Sequence, residues 1–168
     1  KEDIIIQAKV EVKGSDIIVD LDGSSPQVNW GGNVVFNFTF AYVFMAVKSM
    51  FAPDIPNNDG CAKPIRLSAP EGCVLNCKFP AAVAARMGVG HFLTEVIYRA
   101  LSGVLPTKVI AGSGGTPAAM NVFYGRRKDG RNWHSVIIRG GGMGASAASD
   151  GNYVYIFPAN GANTPVEI

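Results

Sequence analysis

The hydrophobic pattern predicts a β-hairpin followed by a helix in the first third of the chain. Residues 4–22 are rich in β-formers and alternate apolar with polar around a turn at residues 13–15. From Asn37, apolar residues recur at helical spacing until Pro53, with Asn37 or Thr39 as the expected N-cap. Almost every position of this stretch is apolar or small, so we expect a helix buried on most of its circumference.

A second helical pattern follows at residues 89–104, where apolar side chains recur at i, i+3, i+4 and i+7 until Pro106. His91 and Glu95 are expected one turn apart on the opposite, wetter face. Such a pair fits an ordinary surface contact or a metal or proton-transfer site, and the pattern leaves both open.

Residues 53–76, called the connector below, join the two helices. The connector begins with a loop rich in proline and asparagine, continues as a short alternating strand at residues 64–68, and reverses again at residues 69–72. Residues 79–85 are ambiguous between strand and helix.

The last third of the chain is predicted to be strands and glycine-rich loops, with Asp129-Gly130 as a hairpin turn. The second loop lacks both the complete dinucleotide-binding glycine pattern and the Lys-Ser/Thr of a P-loop. We interpret it as a place where backbone approaches a substrate or a partner closely. The predicted strands are 109–110, 121–124, 133–139 and 153–157, and the first and second glycine loops are 112–115 and 140–144.

Composition restricts the function classes. A chain of 168 residues with 48% hydrophobic residues suits one α+β domain, with a mixed, largely antiparallel sheet, two main buried helices and glycine-rich loops. The net charge of +2 and the lack of a strong Lys/Arg cluster favour neither nucleic acid nor a membrane surface as partner. No apolar run is long enough to span a bilayer, so a cytoplasmic location is expected. Cys73 and Cys77 are four residues apart but have no second ligand pair, so a zinc site is disfavoured and no metal is expected in this chain.

Several sequence blocks, in order, resemble the hydantoinase B family. They include Pro-Asp-Ile-Pro-Asn-Asn-x-Gly-Cys at residues 53–61 and Gly-Gly-Met-Gly-Ala at residues 141–145. The other matching blocks are at residues 23–28, 69–76, 80–84 and 163–167.

The resemblance implies a subunit of an ATP-dependent complex that hydrolyses a cyclic amide or carboxylates a ketone. In such complexes ATP and Mg²⁺ bind a hydantoinase A type partner subunit, and this chain resembles the C-terminal portion of the B-type subunit, residues 1–168 forming one domain. The remaining N-terminal part of the same subunit, where a divalent metal is possible, and a small carbonyl substrate are the other expected partners. The alternative is a non-catalytic assembly module that only contacts sister subunits.

Two departures from the family pattern bear on the substrate. The chain has residues 86–91, ending in His91, where many members have an Asn-x-Glu-Thr segment. It has Tyr155 and Phe157 where hydrolase-like members have histidines. Aromatic residues there predict an apolar pocket wall, or merely a repacked core. The substrate-binding candidates are Asn58, which shapes the connector with Asn57 and Gly60, and His91, Gly142, Tyr155, Phe157, Asn160 and Asn163. Catalytic residues are not assigned.

Overall fold

The structure is a computed structural model, and it describes residues 3–114, 120–138 and 141–152. Within these ranges short strands and helices follow one another singly or in pairs, and the two longest helices lie on either side of the connector. In chain order they are β1 (Lys9–Lys13), β2 (Asp16–Asp20), α1 (Phe36–Phe51), α2 (Asp59–Ala62), β3 (Ile65–Ser68), α3 (Met87–Gly90), α4 (Phe92–Leu101), β4 (Met120–Arg126) and β5 (Asn132–Ile138).

The strands form two small sheets. The first has the order β1-β2-β3, with β1 antiparallel to β2 and β2 parallel to β3, so that Ile17 lies opposite Ile65. The second is the antiparallel β4–β5 hairpin. The expected α+β class with a mixed, largely antiparallel sheet is therefore confirmed, and both predicted hairpins are present. The sequence pattern had not predicted the strand order.

Helix α1 packs one stripe of its surface into the core. Its buried residues recur at helical spacing, while Asn37 and Ala41 are exposed and Phe51 is partly exposed. The helix ends just before Pro53, as predicted, but the expected N-cap is wrong. Val35 occupies that position without a side-chain hydrogen bond, because Asn37 and Thr39 both lie inside the helix.

Helix α4 is shorter than the predicted stretch, since residues 87–90 form the separate turn α3. The two pieces press closely on α1: a Cβ added at Gly90 would lie 2.5 Å from Cε1 of Phe38. Val104, expected on the apolar face, is 76% exposed. Val104 lies beyond the end of α4, whose buried residues are Leu93, Thr94, Ile97, Tyr98 and Leu101. Because Thr94 and Tyr98 are buried while Ala100 is exposed, the buried face of α4 is turned relative to the prediction.

The core lies between the three-stranded sheet, α1 and α4. The hydroxyl groups of Ser49 and Tyr98 are 2.8 Å apart and join the two helices at its edge. Both helices are substantially buried, as expected. The largest fully buried hydrophobic side chains are Leu21, Met50, Leu75, Leu93, Ile97, Val19, Val34, Val43 and Val74.

Three further segments can be compared with the strands predicted from the sequence. The connector strand is confirmed as β3, and the ambiguous residues 79–85 form neither helix nor strand. The predicted strand at 109–110 is wrong, since Ile110 makes only a single bridge to Ser146. The predicted strand at 153–157 lies outside the described residues.

Among the helices of the described ranges, none combines the length and apolar character needed to cross a membrane.

Candidate functional site

A pocket of about 280 Å³ lies between the end of α1, the connector and the first sheet. We call it the connector pocket. Its size is close to the lower end of small-molecule sites, and its mainly apolar wall is typical of them. The apolar lining residues are Ile17, Val47, Phe51, Ala52, Ile55, Pro64 and Ile65, and the others are Lys48, Asn58, Gly60 and Cys61.

Asn58 is the sequence-predicted candidate that lines this pocket. Its side-chain Nδ2 donates a hydrogen bond to the Pro56 carbonyl oxygen at 2.9 Å. The backbone carbonyl oxygen of Asn58 accepts a hydrogen bond from the Cys61 amide at 3.1 Å. A Cβ at Gly60 would lie 2.8 Å from Asn58 Oδ1, so a larger residue there would displace the Asn58 side chain. The hydrogen bonds of Asn58 help to shape the loop, and no residue of the described ranges donates to Asn58 Oδ1.

Two further polar groups line the connector pocket. Lys48 Nζ donates to the carbonyl oxygens of Ala52 at 3.0 Å and Pro53 at 3.4 Å, which holds the cation at the C-terminal end of α1. The free thiol of Cys61 lies 3.4 Å from the Pro56 carbonyl oxygen. The pocket can therefore hold an apolar group. Its wall presents to that group the amide oxygen of Asn58, the ammonium group of Lys48 and the thiol of Cys61.

His91 lies in the core rather than on a wet face, so the expected surface position is wrong. Its side chain is only 5% exposed, and its ring stacks on Tyr42 with centroids 5.3 Å apart. The physical reason is the turned face of α4, which brings His91 towards α1. Burial lowers the pKa of His91, which favours the neutral imidazole.

The stack continues away from His91. Tyr42 stacks on Phe38 at 4.7 Å, and the Arg86 guanidinium carbon lies 5.5 Å from the centre of the Phe38 ring. Within the described structure, neither His91 Nε2 nor the buried hydroxyl of Thr94 has a hydrogen-bond partner. Two unsatisfied polar groups therefore lie about one turn apart in the core.

Glu95 does not pair with His91. Its Oε1 accepts a hydrogen bond from the Ser113 amide at 2.9 Å, which ties α4 to the first glycine loop. Ser113 Oγ in turn accepts from the Gly144 amide at 3.1 Å. The acid thus helps to position the glycine-rich segments.

Gly142 contacts the first glycine loop, because its carbonyl accepts from the Gly114 amide at 3.1 Å. A Cβ on Gly114 would lie 2.5 Å from the Gly141 carbonyl oxygen, and one on Gly144 would overlap the Ala111 carbonyl. In the part of each loop that the structure describes, the close backbone approach is therefore made within this chain. An approach to a substrate or partner stays a prediction.

The remaining candidates, Tyr155, Phe157, Asn160 and Asn163, lie outside the described residues. Among the other three, no hydrogen bond or ring contact joins any two within the described ranges: Asn58 lines the connector pocket, His91 stacks on Tyr42, and Gly142 bonds Gly114. Across residues 3–114, 120–138 and 141–152, no three His, Cys, Asp or Glu side chains gather as a metal site.

Sequence reasoning missed Asn33, which is fully buried and fixes the loop that precedes α1. Its Oδ1 accepts from the Val28 amide at 2.7 Å, and its Nδ2 donates to the carbonyls of Val28, Trp30 and Ala82 at 2.8, 3.0 and 3.0 Å. An asparagine after two glycines predicts a turn, but its reach to residue 82 has no sequence signal.

Thr39 is the second residue whose role the sequence did not show. Its hydroxyl donates to the Leu75 carbonyl at 2.6 Å, so it anchors the end of the connector to α1 instead of capping the helix. Together, Asn33 and Thr39 hold the segments on either side of the connector in place.

The fold and the pocket define a class: an α+β unit with a small apolar pocket beside a proline-rich connector. The sequence profile of the hydantoinase B/oxoprolinase family matches residues 1–168. The chain belongs to this family.

Curated relatives support the assignment. A protein of Pseudomonas sp. (strain NS671), named as the putative B-type component of a D-/L-hydantoinase, is 31% identical over 175 residues, or 99% of this chain. The 5-oxoprolinase of Saccharomyces cerevisiae is 30% identical over 155 residues, or 87% of this chain. The chain spans only 29% and 11% of the lengths of these two relatives.

Solved structures share the fold. The ATP-dependent caprolactamase from Pseudomonas jessenii superposes with a TM-score of 0.72 at 21% identity, covering 88% of this chain and 26% of that one. A nucleotide-free acetone carboxylase gives a TM-score of 0.71 at 16% identity, covering 95% of this chain and 22% of that one.

Proposed function

We propose that this chain is part of a subunit of an ATP-dependent, multi-subunit enzyme that acts on a cyclic amide or another small carbonyl compound. The observation that carries the proposal is the family match along the whole chain. The names of its relatives and structural neighbours, a hydantoinase component, a 5-oxoprolinase, a caprolactamase and a carboxylase, share carbonyl chemistry. Both amide hydrolysis and ketone carboxylation lie within the proposal.

In this proposal ATP and Mg²⁺ bind a hydantoinase A type partner subunit, which supplies the phosphoryl group. This chain contributes the shape and polarity of a substrate site. Its second glycine loop lacks the Lys-Ser/Thr of a P-loop, which agrees with that division of roles. A divalent metal in the N-terminal part of the same subunit, the single-domain C-terminal position of this chain and a cytoplasmic location stay predictions.

The connector pocket suits the apolar part of such a substrate. Its aliphatic and aromatic wall would exclude water, and Asn58 Oδ1 is an acceptor for a substrate N–H. We further propose, from the family resemblance alone, that Tyr155 and Phe157 form an apolar wall of the substrate site and that Asn160 and Asn163 supply polar contacts. His91 stays a proposed substrate contact on the strength of its Nε2, which lacks a partner among the described residues, and of nothing else, because that atom is buried in the core and His91 does not line the connector pocket.

The test uses the full subunit together with its ATP-binding partner and measures substrate-stimulated ATP hydrolysis alongside assembly by native mass spectrometry. Asn160→Ala and Asn163→Ala should each lower turnover about 10-fold or more while the complex stays assembled, since a polar contact to substrate is lost. Asn152→Ala, at an exposed asparagine, is the matched control. Normal turnover in both variants would overturn their assignment to the site.

Phe157→His tests the apolar wall in the same assay. We expect weaker binding of aromatic ketones and cyclic amides, seen as a KM raised about 10-fold, because a polar ring replaces an apolar one. Unchanged turnover and substrate preference would show that Phe157 only packs in a core.

A specific observation also favours the second candidate, an assembly module. Phe79 is 98% exposed in the loop after the connector, and such a side chain is more typical of a buried contact with another polypeptide than of a free surface. Loss of assembly, rather than of turnover alone, in the asparagine variants would favour this candidate.

A further inference from the structure

The wall of the connector pocket includes a lysine ammonium group whose charge is not neutralised. Lys48 Nζ has three N–H donors, and two of them are directed to the carbonyl oxygens of Ala52 and Pro53, which leaves one for the pocket. Among the described residues, no Asp or Glu lines this pocket and Lys48 forms no ion pair. The two carbonyl groups carry only partial charge, so the cation remains available to an anion.

The wall around this cation is mainly apolar. Val47 and Ile65 are buried in the core on its inner side, and Phe51 and Ile55 are exposed on its outer side. A cation attracts an anion more strongly beside an apolar wall than in bulk water, because the effective dielectric constant is lower there. The pocket therefore favours a ligand that has both an anionic group and an apolar body.

The size of the connector pocket restricts the ligand further. Since a water molecule occupies about 30 Å³ in the liquid, a pocket of about 280 Å³ has room for roughly nine non-hydrogen atoms. An Asp or Glu side chain from another part of the subunit is smaller than this and would match the cation but leave most of the wall uncovered. An apolar side chain would cover the wall but leave the cation without a partner. A small molecule with both parts satisfies both requirements.

We propose that the connector pocket binds a small apolar carboxylate, with its carboxylate group against Lys48 Nζ and its hydrocarbon part along the apolar wall. The role of this acid rests on the proposed function, because both reactions within that proposal form a carboxylate. Addition of water across an amide C–N bond yields a carboxylate and an ammonium group, and carboxylation with carbon dioxide exchanges a C–H proton of a ketone for a carboxylate. The acid is therefore a product of the enzyme, held in the pocket before release.

The charge test compares hexanoate with its neutral analogue hexanamide, which has nearly the same shape. Binding to the full subunit is measured by ligand-observed NMR, without ATP or a partner subunit. Hexanoate should bind the wild type about 10-fold more tightly, because only the carboxylate forms a charged hydrogen bond with Lys48 Nζ. Lys48→Met keeps the apolar stem and should remove this preference. Lys63→Met, at an exposed lysine outside the pocket, is the control and should keep it.

A second variant leaves Lys48 and its hydrogen bonds intact. Ile55→Glu adds an anion at an exposed position of the pocket wall, where the subunit should stay folded. It should weaken hexanoate binding about 10-fold through like-charge repulsion and change hexanamide binding little. Dodecanoate is too long for the pocket and should bind the wild type more weakly than hexanoate. The melting temperature of each variant verifies that it is folded.

Four results would overturn the inference. The first is equal binding of hexanoate and hexanamide by the wild type, and the second is a preference for hexanoate that survives both Lys48→Met and Ile55→Glu. Tighter binding of dodecanoate would indicate adsorption on apolar surface instead of a pocket. Absence of binding of both six-carbon probes would mean that another part of the same polypeptide fills the pocket.

Failure of the proposed function gives a different result. If hexanoate shows the expected preference but no cyclic amide or ketone stimulates ATP hydrolysis by the assembled complex, the proposed function and the role of the acid as product are wrong, and the carboxylate site remains. If stimulated ATP hydrolysis is normal and the preference for hexanoate is absent, only the carboxylate site is wrong.

Discussion

The two sheets of this chain differ in where their apolar side chains find partners. The β1–β3 sheet packs on α1 and α4, and fully buried residues such as Leu21, Leu75 and Leu93 fill the space between them. The β4–β5 hairpin instead exposes Val122 and Tyr124. The contrast teaches that one part of the chain can be stable through its own buried contacts, whereas the hairpin finds few such contacts among the residues that the structure describes.

The largest effect should come from opening a cavity in the first region. Leu93→Ala removes a fully buried side chain of α4 and should lower the free energy of unfolding by about 3 kcal/mol. Urea titration followed by circular dichroism measures it. Val104→Ala, at an exposed position, is the control and should cost less than about 0.5 kcal/mol. Equal losses of stability in Leu93→Ala and Val104→Ala would contradict the view that the first region is stabilised by its buried side chains.

Removing the buried amide of Asn33 should cost nearly as much. Asn33→Ala leaves the Val28 amide and the carbonyls of Trp30 and Ala82 without their present partner, and we expect a loss of about 2 kcal/mol. Asn29→Ala, at an exposed asparagine of the same loop, should be nearly neutral. A small loss of stability in Asn33→Ala would mean that water molecules replace the hydrogen bonds of the Asn33 side chain.

The next effect depends on pH and concerns His91. Burial lowers its pKa in the folded state, so near and below a pH of about 6.5 the unfolded chain binds a proton more readily than the folded one does. Stability from this group is present above that pH and is lost as the pH falls towards the folded-state pKa. His91→Phe should flatten this part of the pH profile in urea titrations.

The same variant separates structure from function. Because His91 Nε2 has no partner in the described residues, His91→Phe should be neutral or stabilising by up to about 1 kcal/mol. Lost turnover with unchanged stability would assign His91 to the site. Lost stability would instead show that the imidazole makes an important contact.

The smallest effect on stability is expected in the hairpin. Tyr124→Ser should change the free energy of unfolding of the isolated subunit by less than about 0.5 kcal/mol, because most of that side chain already faces solvent. Differential scanning calorimetry measures it. A large loss would erase the contrast between the two sheets.

The sequence predicted the elements better than their orientation. Both hairpins, α1 and β3 follow from local periodicity and turn residues, which act over a few positions. The turned face of α4 could not be predicted, because which of its half-polar positions are covered depends on packing against α1, a helix distant in sequence. The N-cap prediction failed for a similar reason, since Thr39 bonds to Leu75, far along the chain.

The candidate site was predictable only in part. The proline and asparagine pattern of the connector indicated a shaped loop, and Asn58 indeed lines a pocket there. Lys48 and Cys61 were missed because a pocket between α1 and a loop has no signature in either segment alone. His91 was assigned to the wrong surface, since apolar periodicity cannot show which half-polar positions a neighbouring helix will cover.

The parallel pairing of β2 with β3 also has a consequence for biosynthesis. Residues 17–20 lie beside residues 65–68, so the middle strand waits for its second neighbour until α1 and the connector have been made. At a translation rate of about 5–20 residues per second, that wait lasts on the order of seconds. During this interval the apolar stripe of α1 has neither β3 nor α4 to cover it, so the nascent chain exposes apolar surface that is prone to aggregation.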